Sequence, residues 1–208
     1  MGEPKNFQLV ELGPGKGTLT SDILRTFAKI RPDALEGMSV QFVEVSKKMM
    51  ELQEAALCGH SQGFGRRGVE GQSRVTKYGP SVTWHQTVRD VPKQFSFFLA
   101  HEFFDALAVN KFQRTPDGWR EVLIDIDPIA TEGTKLRYVI SRNATPACVL
   151  LEQSGTMDMM AGREKVELST LGGGLAREIS QRVVEHGGAC LIADYGQAGE
   201  DGDTFRWW

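Results

Sequence analysis

Glu11-Leu12-Gly13-Pro14-Gly15-Lys16-Gly17 sets one carboxylate and three glycines within seven residues. An apolar run, Phe7 to Leu12, leads into them, and a helical pattern follows. Glycines at 13, 15 and 17 let the backbone approach a nucleoside closely. A dinucleotide fingerprint wants its third glycine at 18, where Thr18 stands. A Walker phosphate loop wants GxxxxGK[ST], and here Gly17 follows Lys16. Glu11 beside the loop would repel a pyrophosphate. It suits S-adenosylmethionine (SAM), which has no phosphate and carries a positive ammonium and a positive sulfonium.

Further carboxylates recur where strands end. Glu44 closes the second apolar run and can accept hydrogen bonds from both ribose hydroxyls. Asp90 follows the third strand; it can reach an adenine or cap a turn. His101-Glu102-Phe103-Phe104-Asp105 follows the fourth strand. Methyl transfer from a sulfonium needs an aligned acceptor and exclusion of water. Glu102 and Asp105 can grip a cationic acceptor such as a guanidinium and help its nitrogen shed a proton. Phe103 and Phe104 can line the channel or form core. Asp194-Tyr195-Gly196 ends the last strand on the same ligand edge. The histidines are scattered and form no ligand triad, so no metal is expected. No Ser–His–Asp or Cys–His arrangement stands out.

Alternating strands and helices must position these groups. Phe7 to Leu12 reads as a buried strand. Leu19, Ile23, Leu24, Phe27 and Ile30 make Thr18 to Ile30 an amphipathic helix. Thr18 or Thr20 is the expected cap, with Asp22 in the first turn. Ser39 to Val45 is the second strand, and Ser46 caps the helix that follows. Residues 59–79 are rich in Gly, Arg, Ser and Gln and read as a flexible loop. Ser81 to His85 and Phe95 to Ala100 are strands, the latter central. Residues 110–170 read as an inserted β-rich region without helices. There Lys111 to Arg114 and Arg120 to Asp125 flank the Pro116-Asp117-Gly118 turn. Leu175 to Glu185 is a helix stopped by Gly187-Gly188, and Ala189 to Tyr195 is the last strand. The pattern predicts an α/β class, a Rossmann-like sheet with helices on both faces.

Composition narrows the partners. The formal net charge is −3, with 40% hydrophobic and 25% charged residues. No basic excess or stripe points to nucleic acid. No apolar run reaches the length of a membrane-spanning helix. Three separated cysteines, Cys58, Cys148 and Cys190, form no CxxC pair, which favours a reducing compartment. Met1 to Lys5 lacks a signal-peptide core and the arginine-rich pattern of a transit peptide.

The stretches VELGPGKGTLTSDILR, FVEVSKKM, LAHEFFDALAVNKFQ, GWREVLIDID and LIADYGQAGEDGDTFR, in this order, resemble the MidA-like family. Its animal members are mitochondrial SAM-dependent protein arginine methyltransferases that assist assembly of respiratory complex I. The resemblance implies a class I methyltransferase fold with SAM as cofactor. It implies a location in the mitochondrial matrix, and symmetric dimethylation of an arginine on a complex I subunit. Glu11, Gly13, Gly15 and Gly17 would frame the cofactor, and Glu44 its ribose. The segment His101 to Asp105 would face the acceptor, with His101 where many bacterial relatives carry Asn. Family members continue on both sides of the matched region, so 1–208 reads as one partial domain with an incomplete sheet. Two other readings stay open: an assembly chaperone that works without catalysis, and an inactive truncated isoform.

Overall fold

A computed structural model describes residues 4–59, 72–129, 135–155 and 162–196. In chain order its elements are β1 (Phe7–Leu12), α1 (Thr18–Ile30), α2 (Pro32–Glu36), β2 (Met38–Val43), α3 (Lys47–Cys58), β3 (Ser73–Val75), β4 (Ser81–His85), a 3-10 turn (Val88–Asp90) and β5 (Ser96–His101). Then come β6 (Asn110–Thr115), β7 (Gly118–Ile126), β8 (Leu136–Ile140), α4 (Pro146–Gln153), β9 (Lys165–Leu168), α5 (Thr170–His186) and β10 (Gly188–Ala193). They fall into two compact units, Met1–Ala106 with Gly174–Trp208, and Leu107–Gly173.

The first unit holds a six-stranded sheet in the order β10-β5-β1-β2-β4-β3. All its pairings are parallel except β3 with β4. Register explains why both faces are apolar. Val40 and Phe42 of β2 pair with Val82 and Trp84 of β4, so these four side chains share one face. They pack with Leu24 of α1, Leu35 of α2, and Met50 and Leu57 of α3. The alternate residues Val10, Leu12, Val43, Phe98 and Ala100 face the other way and meet Ile179 of α5. Helices thus cover both faces, as the alternating pattern predicts.

Local details depart from the sequence expectation, each for a physical reason. Gly17, left-handed at φ 77°, is the N-cap of α1, and no side chain caps it. The hydroxyl of Thr20 donates instead to the Glu11 carboxylate, a charge-assisted bond stronger than a cap. Asp22 lies beyond the first turn and pairs with Arg25 at 2.8 Å. Ser46 does cap α3, accepting from the Met49 N–H at 3.4 Å. Within 59–79, residues 60–71 lie outside the described set. Ser73–Val75 forms an edge strand there, too short to show any alternation. The α5 helix starts at Thr170 rather than near Leu175, because it takes in the run Gly172-Gly173-Gly174 that reads as a breaker.

The second unit is an antiparallel sheet in the order β8-β7-β6-β9. The β6–β7 hairpin turns at residues 116–117, where Pro-Asp-Gly places it. A helix, α4, breaks the expectation of strands alone. Thr145 accepts from the Cys148 N–H and Pro146 takes the first turn, an N-terminal signal that the apolar run Ala147 to Leu151 obscures. Its Cys148 and Leu151 pack on Phe112 and Trp119. Among the described residues no helix is long and apolar enough to cross a membrane.

Candidate functional site

The carboxyl ends of β1, β2, β5 and β10 lie side by side, and β1 has β2 on one flank and β5 on the other. That is the switch point of a doubly wound sheet, where such folds receive ligands. The chain leaves β1 through Gly13, Gly15 and Gly17 at φ 57°, 54° and 77°. All three lie in the left-handed region that L side chains rarely adopt. The Gly13 N–H donates to the Val43 carbonyl at 3.0 Å, which stitches the loop to β2. A Cβ on Gly15 would meet nothing within 4 Å among the described residues, so this part of the loop offers bare backbone to open space. The residues present fit a nucleoside cofactor.

Glu11 does not face that space freely. It is 3% exposed, and its carboxylate takes the Thr20 hydroxyl. Burial raises its pKa above the ordinary value, opposed by the Thr20 bond and by the charge of His101. That bond ties β1 to α1 beneath the loop. Glu44 lies just past β2, with its N–H on the His85 carbonyl at 2.9 Å. One carboxylate oxygen, Oε1, accepts from the Val45 and Ser46 N–H groups at 2.9 and 2.8 Å. The other, Oε2, accepts from Gln53 Nε2 at 3.0 Å.

Gln53 was not foreseen. It sits on α3, fully buried, and its Nε2 also donates to the Gly15 carbonyl at 2.7 Å. Its Oε1 accepts from the indole N–H of Trp84 at 2.8 Å. One side chain therefore touches both the glycine loop and the ribose carboxylate candidate. Asp90 closes the 3-10 turn that follows β4. Its Oδ2 accepts from the Thr87 N–H at 3.0 Å and from the Thr87 hydroxyl at 2.8 Å, and these bonds lower its pKa. These are the bonds of a capping box.

On the β5 side, Glu102 adopts φ 50°, the single non-glycine left-handed residue among those described. Its N–H donates to the Ala193 carbonyl at 2.8 Å, so β10 holds the strained turn in place. The Phe104 N–H donates to Asp194 Oδ2 at 3.0 Å. Asp194 Oδ1 is buried and has no hydrogen-bond partner among the described residues. His101, Glu102 and Asp105 are exposed. The Phe103 ring lies over Gly13, where a Cβ would come within 2.8 Å of it. Phe103 and Phe104 meet edge to face at 5.7 Å. Phe103 thus seats the segment after β5 on the glycine loop. Among the described residues no three His, Cys, Asp or Glu side chains gather as a metal set.

Bare glycine backbone at the first crossover and a carboxylate just past the second strand suit a nucleoside seated at the switch point of a doubly wound α/β sheet. A family profile described as "Putative S-adenosyl-L-methionine-dependent methyltransferase" matches residues 1–207, and the chain belongs to that family. Similar proteins include "Protein arginine methyltransferase NDUFAF7, mitochondrial" from Bos taurus, 46% identical over 99% of this chain and 45% of that protein. The human protein of the same name is 45% identical over the same shares. The Drosophila melanogaster homologue is 39% identical over 99% of this chain and 46% of its own. The chain spans about half the length of these relatives. Among solved structures, a Burkholderia thailandensis protein bound to S-adenosyl-homocysteine aligns with a TM-score of 0.51 at 17% identity, covering 84% of this chain and 38% of that one. A native structure from the same organism gives a TM-score of 0.52, also at 17% identity, over 84% and 40%. At that identity the likeness is one of fold.

Proposed function

We propose that the chain is the cofactor-binding part of a mitochondrial SAM-dependent protein arginine methyltransferase. It acts on an arginine of a complex I subunit, dimethylates it symmetrically, and so supports complex I assembly. The observation that carries the reading is the left-handed glycine loop held beside Glu44 at the sheet's switch point. The names of the relatives, mitochondrial protein arginine methyltransferases, support the acceptor class and the compartment.

When bound, SAM supplies a methyl group on a cationic sulfonium. Gly13, Gly15 and Gly17 would frame it, with Glu11 bracing the loop from below and Glu44 on the ribose. Glu102 and Asp105 are exposed acids free of ion pairs among the described residues, and would pair with the acceptor guanidinium. One of them would take up the proton that the acceptor nitrogen loses. Asp194, with its free buried oxygen, shapes the same turn from β10.

Calorimetry with SAM on the full chain and on Gly13→Val tests the cofactor. Binding by the wild type and none by the variant is the expected result; binding indifferent to the substitution sinks the reading. Mass spectrometry of complex I subunits, with and without the full-length protein, tests the acceptor. An unchanged set of methylated arginines would refute that part.

A further inference from the structure

Buried amides are informative because every N–H and oxygen must find a partner. Gln53 is 0% exposed and all of its bonding capacity on the amide nitrogen is used. The orientation of the amide follows from chemistry. The indole N–H of Trp84 can only donate, so the Gln53 oxygen must face it, at 2.8 Å. Both Nε2 hydrogens then point the opposite way, to the Gly15 carbonyl and to Glu44 Oε2. Trp84 is itself 0% exposed on β4, so the arrangement is anchored in the sheet.

Glu44 gains a definite geometry from this. Its carboxylate has about four acceptor positions. Two backbone N–H groups fill Oε1, and Gln53 fills one position on Oε2. That leaves one position, on Oε2, for a hydroxyl, where the sequence alone allows two, and Gln53 sets its direction. The same amide holds the carbonyl of Gly15, the residue at the open crest of the loop.

We propose that Gln53 is a positioning residue for the cofactor: its amide locks the glycine loop and the Glu44 carboxylate into one preformed frame. This rests on the cofactor reading above. Without the lock, loop and carboxylate must be ordered by the ligand, which weakens binding without removing any contact to it.

The test compares the full chain with Gln53→Met and with Leu57→Ala, a core lesion one turn further along the same helix. Two measurements are made on each: affinity for S-adenosylhomocysteine by calorimetry, and amide hydrogen exchange of the ligand-free chain. Gln53→Met should lower affinity at least about tenfold, the scale of a hydrogen bond to a charged group. It should also speed exchange in residues 13–17 beyond any rise elsewhere. Leu57→Ala should speed exchange through the core without singling out the loop. A change in affinity below about threefold, or a uniform rise in exchange, overturns the proposal. Should Gln53→Met fail to fold because Trp84 loses its acceptor, the double variant Trp84→Phe/Gln53→Met, read against Trp84→Phe, removes the orphaned donor. If the wild type binds no S-adenosylhomocysteine, the cofactor reading falls, while the exchange measurement still decides whether Gln53 holds the loop.

Discussion

Gly13 and Gly15 share nearly the same backbone, φ 57° and 54°, but not the same surroundings. Alanine at either position carries the left-handed penalty, about 1–2 kcal/mol. Either also recovers about 0.4–1 kcal/mol, because alanine restricts the unfolded chain. The two substitutions therefore cancel in everything except the space around the new methyl. At Gly15 nothing lies within 4 Å among the described residues. At Gly13 the methyl would stand 2.8 Å from Phe103 Cδ2, and the ring must move. Phe103 packs edge to face on Phe104 and against the core of Val10, Leu12 and Phe98, so the movement costs about 1–3 kcal/mol. Gly15→Ala should lose at most about 1.6 kcal/mol of stability. Gly13→Ala should lose about 2 kcal/mol more than that. Urea denaturation of both variants measures the gap. The coupling of Gly13→Ala to Phe103→Leu in a double-mutant cycle assigns it to the ring. Equal losses at the two glycines, or a cycle with no coupling, would refute the claim that the acidic segment is seated on the glycine loop.

Three other outcomes follow from the same structure. Because burial raises the Glu11 pKa, the folded chain holds that proton more tightly than the unfolded one. Stability then falls as pH rises from the unfolded to the folded pKa, and the cost of the buried charge is complete above it. Glu11→Gln should flatten that slope and raise the neutral-pH melting temperature; an unchanged pH profile by thermal melting would contradict it. Arg182 is 4% exposed, bonds the Val91 and Arg89 carbonyls at 2.8 and 3.3 Å, and pairs with Glu178 at 2.9 Å. Arg182→Met should cost about 2–3 kcal/mol in urea, since buried carbonyls lose a charged donor, and Glu178→Gln under about 1 kcal/mol. Burial and nearby Glu54 push the Cys58 thiol up to about 11. Its alkylation at pH 8 should run about a hundredfold slower than that of a free thiol, read by peptide mass spectrometry; a rate near that of free cysteine would show that α3 opens there.

What could be read in the residues, and what could not, divides by the range of the constraint. Gly13, Gly15 and Gly17 are legible because a local backbone shape demands them, and their spacing together with Glu11 separates SAM from a dinucleotide. Glu44 is legible because strand and helix patterns on either side place it at a strand end. Thr20 as a cap is reasonable locally, but its hydroxyl answers to a carboxylate on β1 that only the folded chain brings to it. The α4 helix hides in a region whose neighbours are all strands. Gln53 is the instructive case. It lies 38 residues from Gly15 and 31 from Trp84, so no local motif can contain it. Yet the helix pattern does carry a trace. Met50, Gln53 and Leu57 recur at i, i+3 and i+7, all buried, which puts an amide in the middle of an apolar stripe. A polar side chain in that position must find partners inside the fold, and Trp84, on a buried strand, brings a donor that needs an acceptor. Those two unmet demands, seen together, point to each other before any coordinate is known. Their meeting leaves the amide nitrogen facing the loop, which is how a residue outside every motif comes to hold the Gly15 carbonyl.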